Sequence, residues 1–150
     1  MNLEPARTHL AIATANACRV RGDRSSPAER LVDELFAANE KLVTYGTLMP
    51  GERNHDVVRL VGGTWRRCQV RGTLHPTGWG AVEGFPAIRL DPTAPAVDAM
   101  LLECAALRDH WARLDRFEGE EYLRVLVPVH DGREILAIAN IYEAREIPGR

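Results

Sequence analysis

The stretch LDRFEGEEY, from Leu114 to Tyr122, carries four carboxylates in nine residues: Asp115, Glu118, Glu120 and Glu121. A surface loop accounts for most of that density. Glu118 differs by position, because Phe117 precedes it and Gly119 follows it. Glycine commonly ends a helix, adopting the left-handed conformation without a steric penalty. Glu118 is therefore expected at a helix-to-strand junction, with Phe117 and Tyr122 as an apolar wall. Partial desolvation there raises a carboxyl pKa toward neutrality, where a general base or acid is most useful. The plainer reading is a solvated glutamate in the last helical turn, mildly disfavoured by the negative helix end.

A second stretch, LVTYGTLMPGERNH from Leu42 to His55, joins a short apolar run to a glycine and then to polar residues. A strand that ends in glycine lets backbone come close to a ligand. Successive N–H groups after it can hold a carboxylate or an oxyanion. Tyr45, Gly46, Thr47 and Leu48 form that segment. A tight turn after a core strand is the competing explanation.

Other chemistries find no residues to carry them. The five histidines, His9, His55, His75, His110 and His130, never fall at the spacing of a helical metal pair. The three cysteines, Cys18, Cys68 and Cys104, show neither ligand nor redox spacing and read as buried thiols in a reducing compartment. No Gly-Lys-Ser/Thr nucleotide loop or dinucleotide fingerprint is present. The only serines, Ser25 and Ser26, belong to a helix start. An enzyme built from this chain is expected to work by positioning and acid/base chemistry, without metal or cofactor, and a carboxylate is the natural carrier.

The bulk properties narrow the partners. One domain with one real core fits 150 residues of which 45% are hydrophobic. A formal charge of -2 gives no general reason to bind nucleic acid or an anionic membrane. Neither a secretory leader nor a membrane-spanning run is evident, which predicts a soluble, cytoplasmic protein.

The elements that must position the two stretches follow from punctuation and period. Residues 1–24 have no firm period and are expected to be a flexible N-terminal segment, with a single domain over 25–150. A helix starts at Ser26-Pro27, with Ser26 as cap, Glu29 to close a capping box, and Leu31, Leu35 and Phe36 as its apolar face. KLVTY reads as a buried strand and HDVVRLVGG as a short helix stopped by glycines. From Trp65 to Leu74 the chain alternates, with Cys68, Val70, Gly72 and Leu74 on one face. HPTGWGAVEGFPAI reads as a loop, Ile88 and Leu90 as a short strand, and AVDAMLLEC as another. Leu107, Trp111, Leu114 and Phe117 share a helical face. YLRVLVPV and EILAIANIY are two strands joined by a hairpin at Asp131-Gly132. Arg124 reads as a solvated strand residue, and Asn54 and His55 as helix caps. Strands and helices do not alternate regularly, so the expected fold class is α+β: a small mixed, mostly antiparallel β-barrel flanked by helices.

The blocks YGTLMPGERNH at 45–55, LHPTGWGAVEGFPAI at 74–88 and WARLDRFEGEEYLR at 111–124, with a final strand ending in Tyr142, resemble in order and spacing the gamma-glutamylcyclotransferase-like (AIG2-like) family, including the gamma-glutamylamine cyclotransferases. The resemblance covers roughly residues 42–143. It implies that Tyr45, Gly46, Thr47 and Leu48 bind the glutamyl part of a substrate and that Glu118 is the essential glutamate. It implies cyclisation of a gamma-glutamyl amide to 5-oxoproline, with release of an amine or amino acid and no cofactor. Trp79 is expected to line a substrate loop and Tyr122 to border the site. Val97-Asp98-Ala99 departs from the Val-x-Gly of many relatives, and the Ala99 methyl is expected to bear on the leaving group. The expected partner is a small gamma-glutamyl substrate, and the expected state is a monomer or homodimer. The alternative is a noncatalytic small-molecule-binding protein on the same scaffold.

Overall fold

The structure, a computed structural model, describes residues 4–75 and 86–145. Its elements are α1 (Pro5–Val20), α2 (Pro27–Phe36), β1 (Lys41–Thr44), α3 (Asp56–Arg59), β2 (Thr64–His75), β3 (Ala87–Leu90), β4 (Ala96–Glu103), α4 (Trp111–Glu118), β5 (Tyr122–Asp131) and β6 (Glu134–Ala144), with short 3-10 turns at Ala38–Glu40 and Ala105–Asp109. The strands run in the order β3-β2-β4-β1-β6-β5, and β5 returns to β2. That return closes a five-stranded barrel, with β3 as an extra strand on β2. β1 and β6 run parallel and the other pairs are antiparallel. The expected barrel is therefore the observed one.

Strand alternation sorts the core into layers. Val43, Leu101, Val125 and Ile141 face the barrel interior. Their neighbours Leu42, Leu102 and Tyr142 face outward and pack against Leu107, Trp111 and Leu114, beside α4. Leu126 and Ile138 face out on another side, under Ala11, Ile12 and Ala15 of α1 and Val32 of α2. Ala99 is buried with the interior group, paired in register with Cys68.

Four expectations change. The segment 1–24, expected to be flexible, contains α1. Its buried face is built from Thr8, Ala11, Ile12, Ala15 and Arg19, and so many small and polar residues give a weak apolar period. On α2 the buried positions are Glu29 and Val32, and Leu31 is exposed. Ser26 does cap, its Oγ accepting the Glu29 N–H at 3.1 Å, but the Glu29 carboxylate does not close the box. It takes two hydrogen bonds from Arg19 at 2.7 Å instead, because a buried guanidinium is a far stronger donor than a backbone N–H. Phe117 is exposed rather than part of the α4 core face, where Trp111 and Leu114 are the buried positions.

Candidate functional site

β1 ends at Thr44, and the chain then turns through Tyr45-Gly46-Thr47-Leu48. The turn is folded by its own carbonyls. Met49 N–H donates to Gly46 (3.1 Å), Asn54 N–H to Thr47 (2.9 Å) and His55 Nδ1–H to Leu48 (2.9 Å). His55 also packs on Trp65, so its side chain holds the turn rather than capping α3. Among the described residues, the N–H groups of Gly46, Thr47 and Leu48 have no acceptor. Gly46 is required for space: a Cβ there would run into the Pro86 ring.

α4 stops where expected, at Gly119, which has φ +81° and closes the last turn through its N–H to the Asp115 carbonyl (3.1 Å). This puts Glu118 in one pocket with Val43, Thr44, Tyr45, Gly46, Thr47, Leu48, Pro86 and Tyr142. The pocket is narrow, with a volume of about 30 Å³. The two stretches singled out in the sequence thus meet at one end of the parallel pair β1 and β6.

Burial raises the Glu118 carboxyl to about 7, and the Asp115 charge one turn earlier adds to the effect. Asp115 behaves oppositely. Burial works against its charge, yet three donors hold its carboxyl below the usual carboxylate range. Arg124 Nε (2.9 Å) and the Tyr142 hydroxyl (2.6 Å) reach Oδ1, and Arg24 reaches Oδ2 (2.6 Å). Two carboxylates on one helix are thereby separated in proton affinity, one ionised and one poised near neutrality.

The tyrosines build the walls. Tyr45 donates to the Tyr142 carbonyl (2.5 Å), and burial together with the Glu118 charge raises its pKa. Tyr122 lies outside the pocket lining and donates to the Pro86 carbonyl (2.8 Å), so it touches the site through Pro86. Trp79 lies outside the described residues. Arg124, read from sequence as solvated, is buried: it lies 4.3 Å from the centre of the Trp111 ring and bonds Asp115 and Asn140. Asp115 and Arg124 are the polar groups whose placement the sequence reading missed. Their only signal there was Asp115 three residues before Glu118, on the same helical face.

Behind the site runs a buried polar network. Arg19 donates to Asn140 Oδ1 (2.7 Å) and to the Arg124 carbonyl (3.1 Å), while Arg124 shares Asn140 Oδ1 (2.8 Å). The chemistry available to the whole arrangement is proton transfer at Glu118 beside a cradle of backbone donors. Among the described residues, no group of three or more His, Cys, Asp or Glu is placed to hold a metal ion, and no helix is long and apolar enough to cross a membrane.

Comparison with known proteins agrees with this architecture. YkqA from Bacillus subtilis is similar at 25% identity and a TM-score of 0.54, over 72% of this chain and 36% of its own. This chain thus spans about a third of that protein's length. An AIG2-like protein from Mus musculus matches at 19% identity and a TM-score of 0.55, over 73% of this chain and 80% of its own. The uncharacterized protein PH0828 from Pyrococcus horikoshii matches at 17% identity and 0.54, over 72% and 80%. At those last two identities the likeness is one of fold. A search of curated proteins gives no match. The family described as gamma-glutamyl cyclotransferase, AIG2-like, matches residues 42–150, and the chain belongs to that family.

Proposed function

We propose that this protein cyclises a gamma-glutamyl amide to 5-oxoproline, releasing an amine or amino acid, with Glu118 as base and then acid. The observation that carries the reading is a buried carboxyl poised near pH 7 in one pocket with the N–H groups of Gly46, Thr47 and Leu48, which have no acceptor among the described residues. The glutamyl α-carboxylate binds those N–H groups, which fixes the flexible chain in a bent, near-attack shape. Ionised Glu118 removes a proton from the α-ammonium, freeing the lone pair. The amine attacks the gamma-carbonyl carbon, the ring C–N bond forms, and a tetrahedral oxyanion results. Glu118 then passes its proton to the leaving nitrogen and takes the second proton from the ring nitrogen, which still carries two hydrogens after attack. As the oxyanion collapses, the bond to the leaving nitrogen breaks, and Glu118 gives that second proton to the released amine, which departs as an ammonium ion. No water or cofactor is consumed.

Asp115 stays ionised throughout, and its charge one turn away adds to the burial that raises the proton affinity of Glu118. The test is incubation with a panel of gamma-glutamyl amines and gamma-glutamyl amino acids, with detection of 5-oxoproline. Wild type forms product and Glu118→Gln forms it about 10²–10⁴-fold more slowly, while both bind the substrate similarly. Binding without turnover by the wild type would favour a noncatalytic binding protein, and undiminished turnover by Glu118→Gln would move proton transfer to another group.

A further inference from the structure

The barrel closes between β2 and β5 through a single residue pair, Gln69 with His130. Along the rest of that seam, α1 stands in for the missing strand. Asn16 Nδ2 donates to the Leu126 carbonyl (2.9 Å) and its Oδ1 accepts the Leu126 N–H (2.8 Å). Arg19 does the same for the Arg124 carbonyl two residues earlier (3.1 Å). The substitution stops at Pro128, which has no N–H to offer. A cavity of about 660 Å³ opens there, sharing no residue with the Glu118 pocket. That volume falls in the range of small-molecule sites, roughly 300–1,000 Å³.

The lining is divided by chemistry. Ile12, Leu90, Leu126 and Pro128 supply an apolar body, and His9, Arg71 and His130 supply basic groups. Arg71 spends one nitrogen on the Ala94 carbonyl (3.2 Å). His130 lines the cavity with its ring; its Nδ1 is withdrawn from solvent and has no hydrogen-bond partner among the described residues. Burial, Arg71 and His9 all lower the proton affinity of His130, in that order. Asp91 also lines the cavity, but its Oδ1 is engaged by the Thr93 N–H (2.8 Å) and hydroxyl (2.7 Å). Its orientation is fixed by that turn, and its negative charge stays at the lining, so an anionic group fits only on the side of Arg71, His9 and His130.

We propose that this cavity is a second binding site, for a small carboxylic acid with an apolar tail. The tail lies on Ile12, Leu90, Leu126 and Pro128, and the carboxylate faces Arg71, His9 and His130. The site does not depend on the chemistry at Glu118. Octanoate is the probe, titrated into the full chain by calorimetry and by amide NMR. Saturable one-to-one binding is expected, with shifts at His9, Ile12 and His130. Octanamide, and octanoate with Arg71→Gln, should each bind roughly tenfold more weakly, because each loses a charge-assisted contact. Ala13→Phe, at an exposed lining position, should block the cavity without lowering the melting temperature. No binding of any saturated acid from six to twelve carbons would overturn the proposal. Equal affinity for octanamide, unimpaired binding by Ala13→Phe, or shifts confined to Tyr45–Leu48 would do the same.

Discussion

Glu118 and Asp115 show how two like residues on one helix acquire different proton affinities. Asp115 receives three donors and Glu118 receives the resulting negative field, in addition to its own desolvation. If Glu118 is the base, kcat/KM rises with pH through an apparent pKa near 7 and the limb disappears in Glu118→Gln, whose rate of 5-oxoproline formation falls by about 10²–10⁴-fold. The same shift has a consequence for stability, readable without substrate. The folded chain keeps a proton on Glu118 between about pH 4.5 and 7, where the unfolded chain has lost it. Folding stability contributed by that proton therefore declines as pH rises across this window. Glu118→Gln should unfold at higher denaturant than wild type at pH 8, by on the order of 1–3 kcal/mol, and the gap should close near pH 4. Glu118 was legible in the sequence because its neighbours are local: an acidic run, an aromatic and a stopping glycine. Arg124 was not, because its partners Asp115, Asn140 and Arg19 come from three other elements.

Among the elements, the hairpin of β5 and β6 and the strand β2 followed from period and turn chemistry, since those signals act within a few residues. The turn after β1 was legible in place but not in cause. A glycine after a strand is ordinary, and only the Pro86 ring shows why no side chain fits at Gly46. Gly46→Ala should therefore cost about 1–3 kcal/mol as the overpacked turn or Pro86 shifts. Its larger effect should fall on substrate affinity, measured as a rise in KM. The helix α1 was missed for the opposite reason. Its buried face is small and polar, so apolar periodicity understates its contact with the barrel. Asn16→Ala tests that contact directly. It leaves the Leu126 N–H and carbonyl without their partners and should lower stability by about 1–3 kcal/mol in urea unfolding.

At the scale of the molecule, the matched family region begins at residue 42, while part of what holds the site lies before it. Arg24 reaches Asp115, and Arg19 reaches Arg124 and Asn140. Arg19 is 2% exposed and Glu29 4%, so this ion pair is almost wholly withdrawn from water. Arg19→Met would strand the Glu29 carboxylate and open the network, at a cost of about 3–5 kcal/mol in denaturant unfolding. The barrel fold itself was legible because local strand signals in this order leave few ways to bury both faces. The fit of the first helix to the barrel was not legible, being set by the unpaired edge of β5 rather than by any pattern within the helix. Because one residue pair and a helix complete the cylinder, opening of this seam requires only α1 to move away, while the remaining ladders can stay intact. Such opening would let the Leu126 amide exchange with deuterium well ahead of Val125 and Val127, which face the other neighbour along the same strand.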